Sequence, residues 1–166
     1  MAATILPTID YANRQVDVEL LQTITYPAGV TQMSLSNIQT TPKIVTGVQK
    51  ALQRFISLLL TPRGSSTYDT LAGTELLPTL TEGRVQSVGQ FQHIFGIAAA
   101  DVLQQMRADD DLTNIYGTIS DEEIIRTVTV LTAEVDYATS TLRAEVLFTM
   151  AAGDQLTYVI PVPVPR

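Results

Sequence analysis

The most constraining feature of the sequence is a C-terminal third built of strand-like segments joined by short turns. Three segments, 124–135, 141–150 and 156–162, are rich in β-branched and apolar residues and are separated by ATS and AAGD turns. Within 141–150 apolar side chains recur at every second position, so one face of that strand is apolar. The simplest arrangement is a three-strand antiparallel meander, and its single apolar face requires a cover.

An amphipathic helix upstream is one candidate for that cover. After Pro42 the apolar period changes from two residues to three and four, and Pro62 should end the helix because it disfavours helical angles in the residue before it. The apolar stripe consists of Ile44, Val48, Ala51, Leu52, Phe55, Ile56 and Leu59. The opposite, polar side consists of Gln49, Lys50, Gln53 and Arg54.

A second helix is predicted from about residue 85 to residue 107. Gly89 and Gly96 lie within it, and each costs about 1 kcal/mol relative to Ala, which predicts close packing at both positions. Its apolar stripe consists of Val88, Phe91, Phe95, Ala98, Val102 and Met106. Between the helices, residues 61–83 carry five Gly or Pro residues and predict an ordered loop with room for one short turn.

The N-terminal part of the chain predicts a β-hairpin. Residues 15–25 alternate, residues 26–29 read as a turn, and residues 30–38 would form the weaker return strand. Two strands alone are marginally stable, so the apolar side of the first strand needs a neighbour. That side consists of Val16, Val18 and Leu20. We therefore expect an α+β fold: an extension with a hairpin attachment arm over 1–40, and two helices packed on the meander over 41–166.

Composition narrows the chemistry. The chain has 166 residues, no Cys, one His and a formal net charge of −7. The lack of Cys excludes disulfides, thiolate metal sites and thiol nucleophiles, and a single His does not make a multi-His metal site. Without a basic stripe, nucleic-acid binding is disfavoured as the main activity. We expect no cofactor, no metal site and no catalytic residues.

The sequence also predicts no membrane partner. It has no apolar run of about 20 residues, the length that spans a bilayer. The first ten residues, MAATILPTID, have neither the charged segment nor the long apolar core of a signal peptide. We expect a protein made in the cytoplasm.

Three carboxylates in the inter-helix loop leave an enzymatic alternative open. Asp69, Glu75 and Glu82 lie there, and two carboxylates are the minimum that a glycoside hydrolase requires. Nothing in the spacing fixes their separation, and the chain has no Trp to stack on sugar rings. The alternative to a binding function is thus a small, lysozyme-like peptidoglycan hydrolase.

Other polar residues favour structural roles. The acidic groups Asp109–Asp111 and Asp121–Glu123 lack the glycine-containing spacing of a calcium loop, which favours a solvated face or a helix start. Ser120, followed three residues later by Glu123, has the form of a capping box. His93 has no nearby partner that would orient it as a general base, so we expect a structural or surface role.

The turn after the first helix carries the candidate interaction residues Arg63 and Gly64. Gly64 should adopt a positive φ, and Arg63 is a loop cation suited to pairing with a carboxylate within the chain or on another subunit. We expect Gly64→Val to impair folding and Arg63→Ala to impair assembly.

The stretch from Val48 to Ser65, VQKALQRFISLLLTPRGS, continues through Tyr68-Asp69 to Gly73-Thr74-Glu75-Leu76. It resembles the wedge proteins of contractile-tail baseplates, a family that includes the sheath initiator of phage tails and its counterparts in contractile injection systems. Members share an amphipathic helix, a leucine run, a T-P/R-G loop, a Phe-Gly turn, a second helix and a C-terminal meander. The resemblance covers about residues 43–162. In this chain Ala72-Gly73 occupies the position of the Phe-Gly turn. The Glu-Pro-Arg segment that the family carries after its second helix has no match in this chain.

The resemblance implies a structural subunit of a phage contractile-tail baseplate. Such a subunit joins the wedge around the tail tube and initiates sheath assembly through protein–protein contacts. The implied partners are other wedge proteins, the tail tube and the sheath, with six copies per tail, in a virion assembled in the host cytoplasm. Older descriptions of the family carry a lysozyme label, but no catalytic motif is recognisable here, so we expect a protein that is not an enzyme.

The C-terminal segment predicts one further contact. Pro161, Pro163 and Pro165 share one parity, so one edge of an extended strand loses its N–H donors from residue 161 onward. The donors that remain on the other edge belong to Val162, Val164 and Arg166. Because this tail can pair on one side only, we expect it to add as a strand to a neighbouring baseplate or sheath chain.

Overall fold

A computed structural model of the chain describes residues 17–25, 31–35, 44–67, 69–114, 119–136 and 141–163. Their elements confirm the α+β class. The strands are β1 (Asp17–Val18), β2 (Leu21–Thr25), β3 (Thr31–Leu35), β4 (Ile44–Val45), β5 (Ile125–Asp136), β6 (Thr141–Met150) and β7 (Gln155–Pro163). The α-helices are α1 (Gly47–Leu60), α2 (Leu76–Thr81) and α3 (Val88–Asn114), and a 3₁₀ helix covers Asp121–Glu123.

The main sheet is larger than the meander that the sequence predicts. Its five strands have the order β2-β3-β7-β6-β5, with β5, β6 and β7 antiparallel to their neighbours along the meander. The hairpin strands β2 and β3 pair with each other, with Leu21 opposite Leu35 and Thr25 opposite Thr31. β3 then lies parallel to β7, with Gln32 opposite Val159. The hairpin therefore extends the edge of the C-terminal sheet and does not form the separate attachment arm that the sequence predicts.

The first predicted strand, 15–25, is interrupted. β1 pairs with β4 in a separate two-stranded sheet, and the chain leaves strand geometry at Glu19 and Leu20 before β2 begins. The reason is a competing hydrogen-bond partner, because the backbone N–H groups of Leu20 and Leu21 donate to the side chain of Gln53.

The core lies between the sheet and the two long helices. The ring of Phe55 on α1 meets the ring of Phe148 on β6 edge-on, with centroids 5.2 Å apart, a geometry worth about 1 kcal/mol beyond burial. The α1 stripe from Ala51 to Leu59 is buried as predicted. The prediction is wrong for Ile44, which lies in β4 before the helix and is 50% exposed. The α3 stripe is buried as well, except for Val88, which is exposed.

Two local predictions on α3 are wrong. α3 continues to Asn114 through the acidic run where a break was expected, because Arg54 of α1 pairs with Asp109 and Asp110 near the helix end. The positive charge of Arg54 offsets the unfavourable interaction of these carboxylates with the negative end of the helix dipole. A Cβ added at Gly89 or Gly96 would meet no heavy atom within 4 Å, so neither glycine serves close packing within the chain.

The inter-helix loop holds a complete short helix, α2. Leu76 and Leu80 of α2 are buried against the core, and this burial stabilises a segment whose Gly and Pro content favours a loop. Pro78 is tolerated because it lies in the first turn, where an N–H has no helical partner.

Candidate interaction site

The polar side of α1 is a second packing surface, although its sequence reads as solvated. Gln53 is only 1% exposed. Its Oε1 accepts hydrogen bonds from the backbone N–H groups of Leu20 at 2.7 Å and Leu21 at 3.2 Å. Its Nε2 donates to the carbonyl of Val18 at 2.8 Å and to the Asp17 carboxylate at 3.1 Å. One amide thus uses all its hydrogen-bonding capacity to hold residues 17–21, which we name the N-terminal strap.

Gln49, one helical turn earlier, holds the same strap. Its Nε2 donates to Glu19 Oε1 at 3.1 Å and to the Leu21 carbonyl at 3.3 Å. Glu19 is therefore turned inward and is only 9% exposed. Residues four apart on a helix share a face, so the two glutamines form one clamp.

The clamp fixes which side of the strap faces outward. Val18 is 46% exposed and Leu20 is 47% exposed, while the acidic Glu19 between them is buried. Ile44 of β4 lies directly opposite Val18 and is 50% exposed. The apolar side predicted from the alternation is thus the outer side of the strap. Val16, the remaining residue of that predicted side, lies outside the described residues.

Two charged groups on α1 also have inward partners. Lys50 Nζ lies 3.1 Å from Glu123 Oε2, and Glu123 Oε1 accepts the backbone N–H of Gly47 at 3.1 Å. The predicted capping box is therefore wrong: the Ser120 hydroxyl makes no cap hydrogen bond, and Glu123 caps the start of α1 instead. Arg54 donates to the carboxylates of Asp109 and Asp110.

Arg54 remains charged in this setting. Burial acts to lower the pKa of its guanidinium, but the hydrogen bonds and negative charges of Asp110 and Asp109 outweigh burial and raise the pKa above its ordinary value. The expectation of a solvated face at Asp109–Asp111 is wrong for Asp110, whose side chain is only 13% exposed.

Arg63 and Gly64 lie near the start of a loop whose two ends are paired with each other. We name the described residues of this loop, 61–67 and 69–75, the anchored loop. Gly64 has φ +80°, as predicted, in a turn closed by the Ser65 N–H donating to the Pro62 carbonyl at 3.1 Å. Arg63 pairs with Asp101 of α3 at 3.0 Å, so its carboxylate partner is within the same chain.

The base of the anchored loop is fastened by backbone pairing. Thr74 N–H donates to the Thr61 carbonyl at 2.8 Å, and Arg63 N–H donates to the Thr74 carbonyl at 3.0 Å. The buried Thr74 hydroxyl donates to the Leu59 carbonyl at 2.8 Å. These bonds join the two ends of the loop to each other and to the end of α1.

Gly73 and Gln105 are structural residues that the sequence reasoning missed. The Gln105 amide accepts from Gly73 N–H at 3.0 Å and donates to the Gly73 carbonyl at 2.9 Å. Gly73 has φ +94°, and a Cβ there would lie 2.3 Å from the Thr61 carbonyl oxygen. The signal was the Ala72-Gly73 dipeptide at the position of the family's Phe-Gly turn.

The described part of the C-terminal segment pairs within its own chain. Pro161 lies opposite Arg143 and Pro163 opposite Thr141 in the β6–β7 ladder. Proline has no N–H to donate, so the N–H groups of β7 that reach β6 in this part of the ladder belong to the residues between the prolines. The edge of β7 that lacks donors therefore faces away from β6. Val162 is fully buried in the core. Val164 and Arg166 lie outside the described residues.

The candidate acid–base groups Asp69, Glu75 and Glu82 are all exposed at the surface. Asp69 and Glu75 are exposed, and Glu82 forms an exposed ion pair with Arg84 at 2.6 Å. Asp69 caps its own loop, accepting the N–H groups of Leu71 and Ala72. His93 lies on the exposed side of α3, in line with the expected surface role.

No protein-family model matches the chain, and no curated protein matches its sequence. Among residues 17–163 as far as they are described, no helix combines the length and apolarity needed to cross a bilayer. The described residues also hold no group of three or more His, Asp or Glu side chains placed to bind a metal ion. The wedge-family resemblance rests on the sequence segments quoted above.

Proposed function

We propose that this chain is a structural subunit of a contractile-tail baseplate and acts by binding its neighbours. In this role six copies join the wedge around the tail tube and initiate sheath assembly. The partners are other wedge proteins, the tube and the sheath subunits. The wedge-like domain is residues 41–166, with α1 and α3 packed on the β5–β7 meander, and residues 1–40 form the extension that carries the hairpin.

The observation that supports the proposal most is that part of the family-like segment forms the anchored loop. Gly64 and Gly73 adopt positive φ, and Arg63 bridges the loop to α3. The residues that resemble the family are thus those that build one defined local structure.

The exposed apolar residues support a binding role. Val18 and Leu20 on the outer side of the clamped strap, and Ile44 on the adjacent β4, are each about half exposed. A clamped strap presents these side chains without much further ordering, and pre-organisation favours affinity. Subunits of stable assemblies expose such residues where a neighbour covers them.

Incorporation into particles tests the proposal. Cells that produce the tail, but lack their own copy of this gene product, would be supplied with wild-type chain, Val18→Asp or Leu131→Asp. Leu131 on β5 is 45% exposed, so it matches Val18 in exposure. We expect the wild type and Leu131→Asp in purified particles and a loss of about tenfold or more for Val18→Asp, as for an interface anchor. Absence of the wild-type chain from particles would overturn the proposal.

A peptidoglycan turbidity assay separates the proposal from the hydrolase alternative. The folded wild-type chain should leave the turbidity unchanged. Lysis by the wild type that is lost in Asp69→Asn, Glu75→Gln or Glu82→Gln would establish the hydrolase instead.

A further inference from the structure

The tip of the anchored loop presents one apolar side chain to solvent. Leu71 is 76% exposed, more than any other large apolar residue in the described part of the chain. Burying a leucine side chain is worth about 2 kcal/mol, so a partner that covers Leu71 would gain binding free energy from it. Nothing in the described fold makes use of this side chain.

The tip is ordered by its own side chains. The Asp69 carboxylate accepts the N–H groups of Leu71 at 3.0 Å and Ala72 at 3.2 Å. Asp69 N–H donates to the Ser66 hydroxyl at 3.2 Å. With the base fastened by Thr74 and Gln105, little backbone freedom is left to lose when Leu71 meets a partner.

The charge around Leu71 restricts the partner. Asp69 and Glu75 are exposed on the loop, whereas its cation, Arg63, is paired with Asp101. A second copy docking through the same surface would bring like charges together, which costs free energy at an interface. A surface bearing Lys or Arg would be attracted instead.

We propose that Leu71 is an anchor that inserts into an apolar pocket, rimmed by Lys or Arg, on a different protein subunit. The identity of that subunit as a neighbour in the baseplate rests on the proposed function. The anchored loop holds Leu71 in position, and the exposed Asp69, whose carboxylate accepts the Leu71 N–H, would face the basic rim. This contact is separate from the one expected at the strap.

Particle incorporation with a matched leucine tests the anchor. Leu112, near the end of α3, is 64% exposed and serves as the control. Leu71→Ala and Leu71→Asp should each reduce incorporation about tenfold or more, and Leu112→Asp should incorporate like the wild type. Unfolding midpoints of the isolated variants should equal the wild-type midpoint, and Leu71→Ala decides the test if Leu71→Asp fails to fold.

Each outcome has a distinct meaning. Wild-type incorporation of both Leu71 variants would overturn the anchor but leave the proposed function intact. An equal loss for the Leu71 and Leu112 variants would also overturn it. A photo-crosslinker at position 71 should join a segment with Lys or Arg on another protein, and a crosslink to a second copy would contradict the choice of partner. A wild-type chain missing from the particles would remove the proposed function and the anchor together.

Discussion

The N-terminal strap and the anchored loop both present exposed apolar side chains, but they are attached to the domain by different means. The strap is held mainly by side chains, with Gln53 alone making four hydrogen bonds to residues 17–21. The loop is closed by backbone pairing at Thr61, Arg63 and Thr74, beneath which a buried hydroxyl reaches α1. We expect a strap held by two side-chain amides and one short strand pair to be released while the core stays folded, whereas opening the loop base requires disrupting the end of α1.

The largest effect on stability is expected from a substitution that disrupts the base of the anchored loop. Gly73→Ala places a Cβ 2.3 Å from the Thr61 carbonyl oxygen at φ +94°. The steric and conformational costs together should lower the free energy of unfolding by about 3 kcal/mol. Gly64→Ala is the matched control, because φ is +80° but no atom lies within 4 Å, and it should cost about 1 kcal/mol. Denaturant unfolding measures both, and equal losses would show that the base of the loop yields easily.

The next effect releases the strap. Gln53→Ala removes the Nε2 group and the single Oε1 oxygen that together make four hydrogen bonds to residues 17–21, and should cost about 2 kcal/mol. Hydrogen exchange should speed up at the Leu20 and Leu21 amides, which donate to Gln53, and stay slow at Arg63 and Thr74. Gln49→Ala should have the same pattern with a smaller effect. If the loop amides speed up as much as the strap amides, the two regions open together and the comparison fails.

A smaller effect concerns the ion pair that joins the loop to α3. The Arg63 and Asp101 side chains are 37% and 38% exposed, so the pair is partly screened. Arg63→Ala should lower the free energy of unfolding by about 0.5 kcal/mol, and added salt should reduce the difference from wild type. Assembly should be impaired more than stability. A stability loss as large as that of Gly73→Ala would show that Arg63, rather than backbone pairing, fastens the loop.

Tyr158 on β7 belongs to neither region and gives a reference at alkaline pH. Burial raises the pKa of its hydroxyl above the ordinary value, so the folded chain binds a proton that the unfolded chain releases first. Its contribution to stability is complete below the unfolded pKa of about 10 and is lost as pH rises through the folded pKa. Tyr158→Phe should flatten this decline, and Gln53→Ala should leave it unchanged. If the stability of Tyr158→Phe falls as steeply with rising pH as that of the wild type, other groups cause the decline.

The α+β class and the course of the long elements were predictable because hydrophobic period reports which face of an element is buried. The α1 stripe and the limits of β6 follow from it directly. α2 was not expected as a helix, because burial of Leu76 and Leu80 overrides local propensities that favour a loop. The break in the first strand was not expected because its cause, Gln53, lies 33 positions away from Leu20.

The interaction surfaces were predictable only in part. Alternation correctly grouped Val18 with Leu20, but it could not tell that this side faces outward, since that depends on the amide clamp of α1. Polar residues on a helix usually indicate solvent, and buried Gln53 departs from that rule because all its bonds are satisfied. Leu71 was not predicted as an interaction residue, because the prediction for its loop rested on the glycines, prolines and charged residues.

The central claim, that the chain works as a baseplate subunit, is tested most directly by locating it in purified contractile-tail particles. Electron microscopy with an antibody against the chain should show label at the baseplate end of the tail, and the label should be missing from particles made without the chain. Intact tails that carry no label at the baseplate, while the chain is present in the producing cells, would contradict the claim.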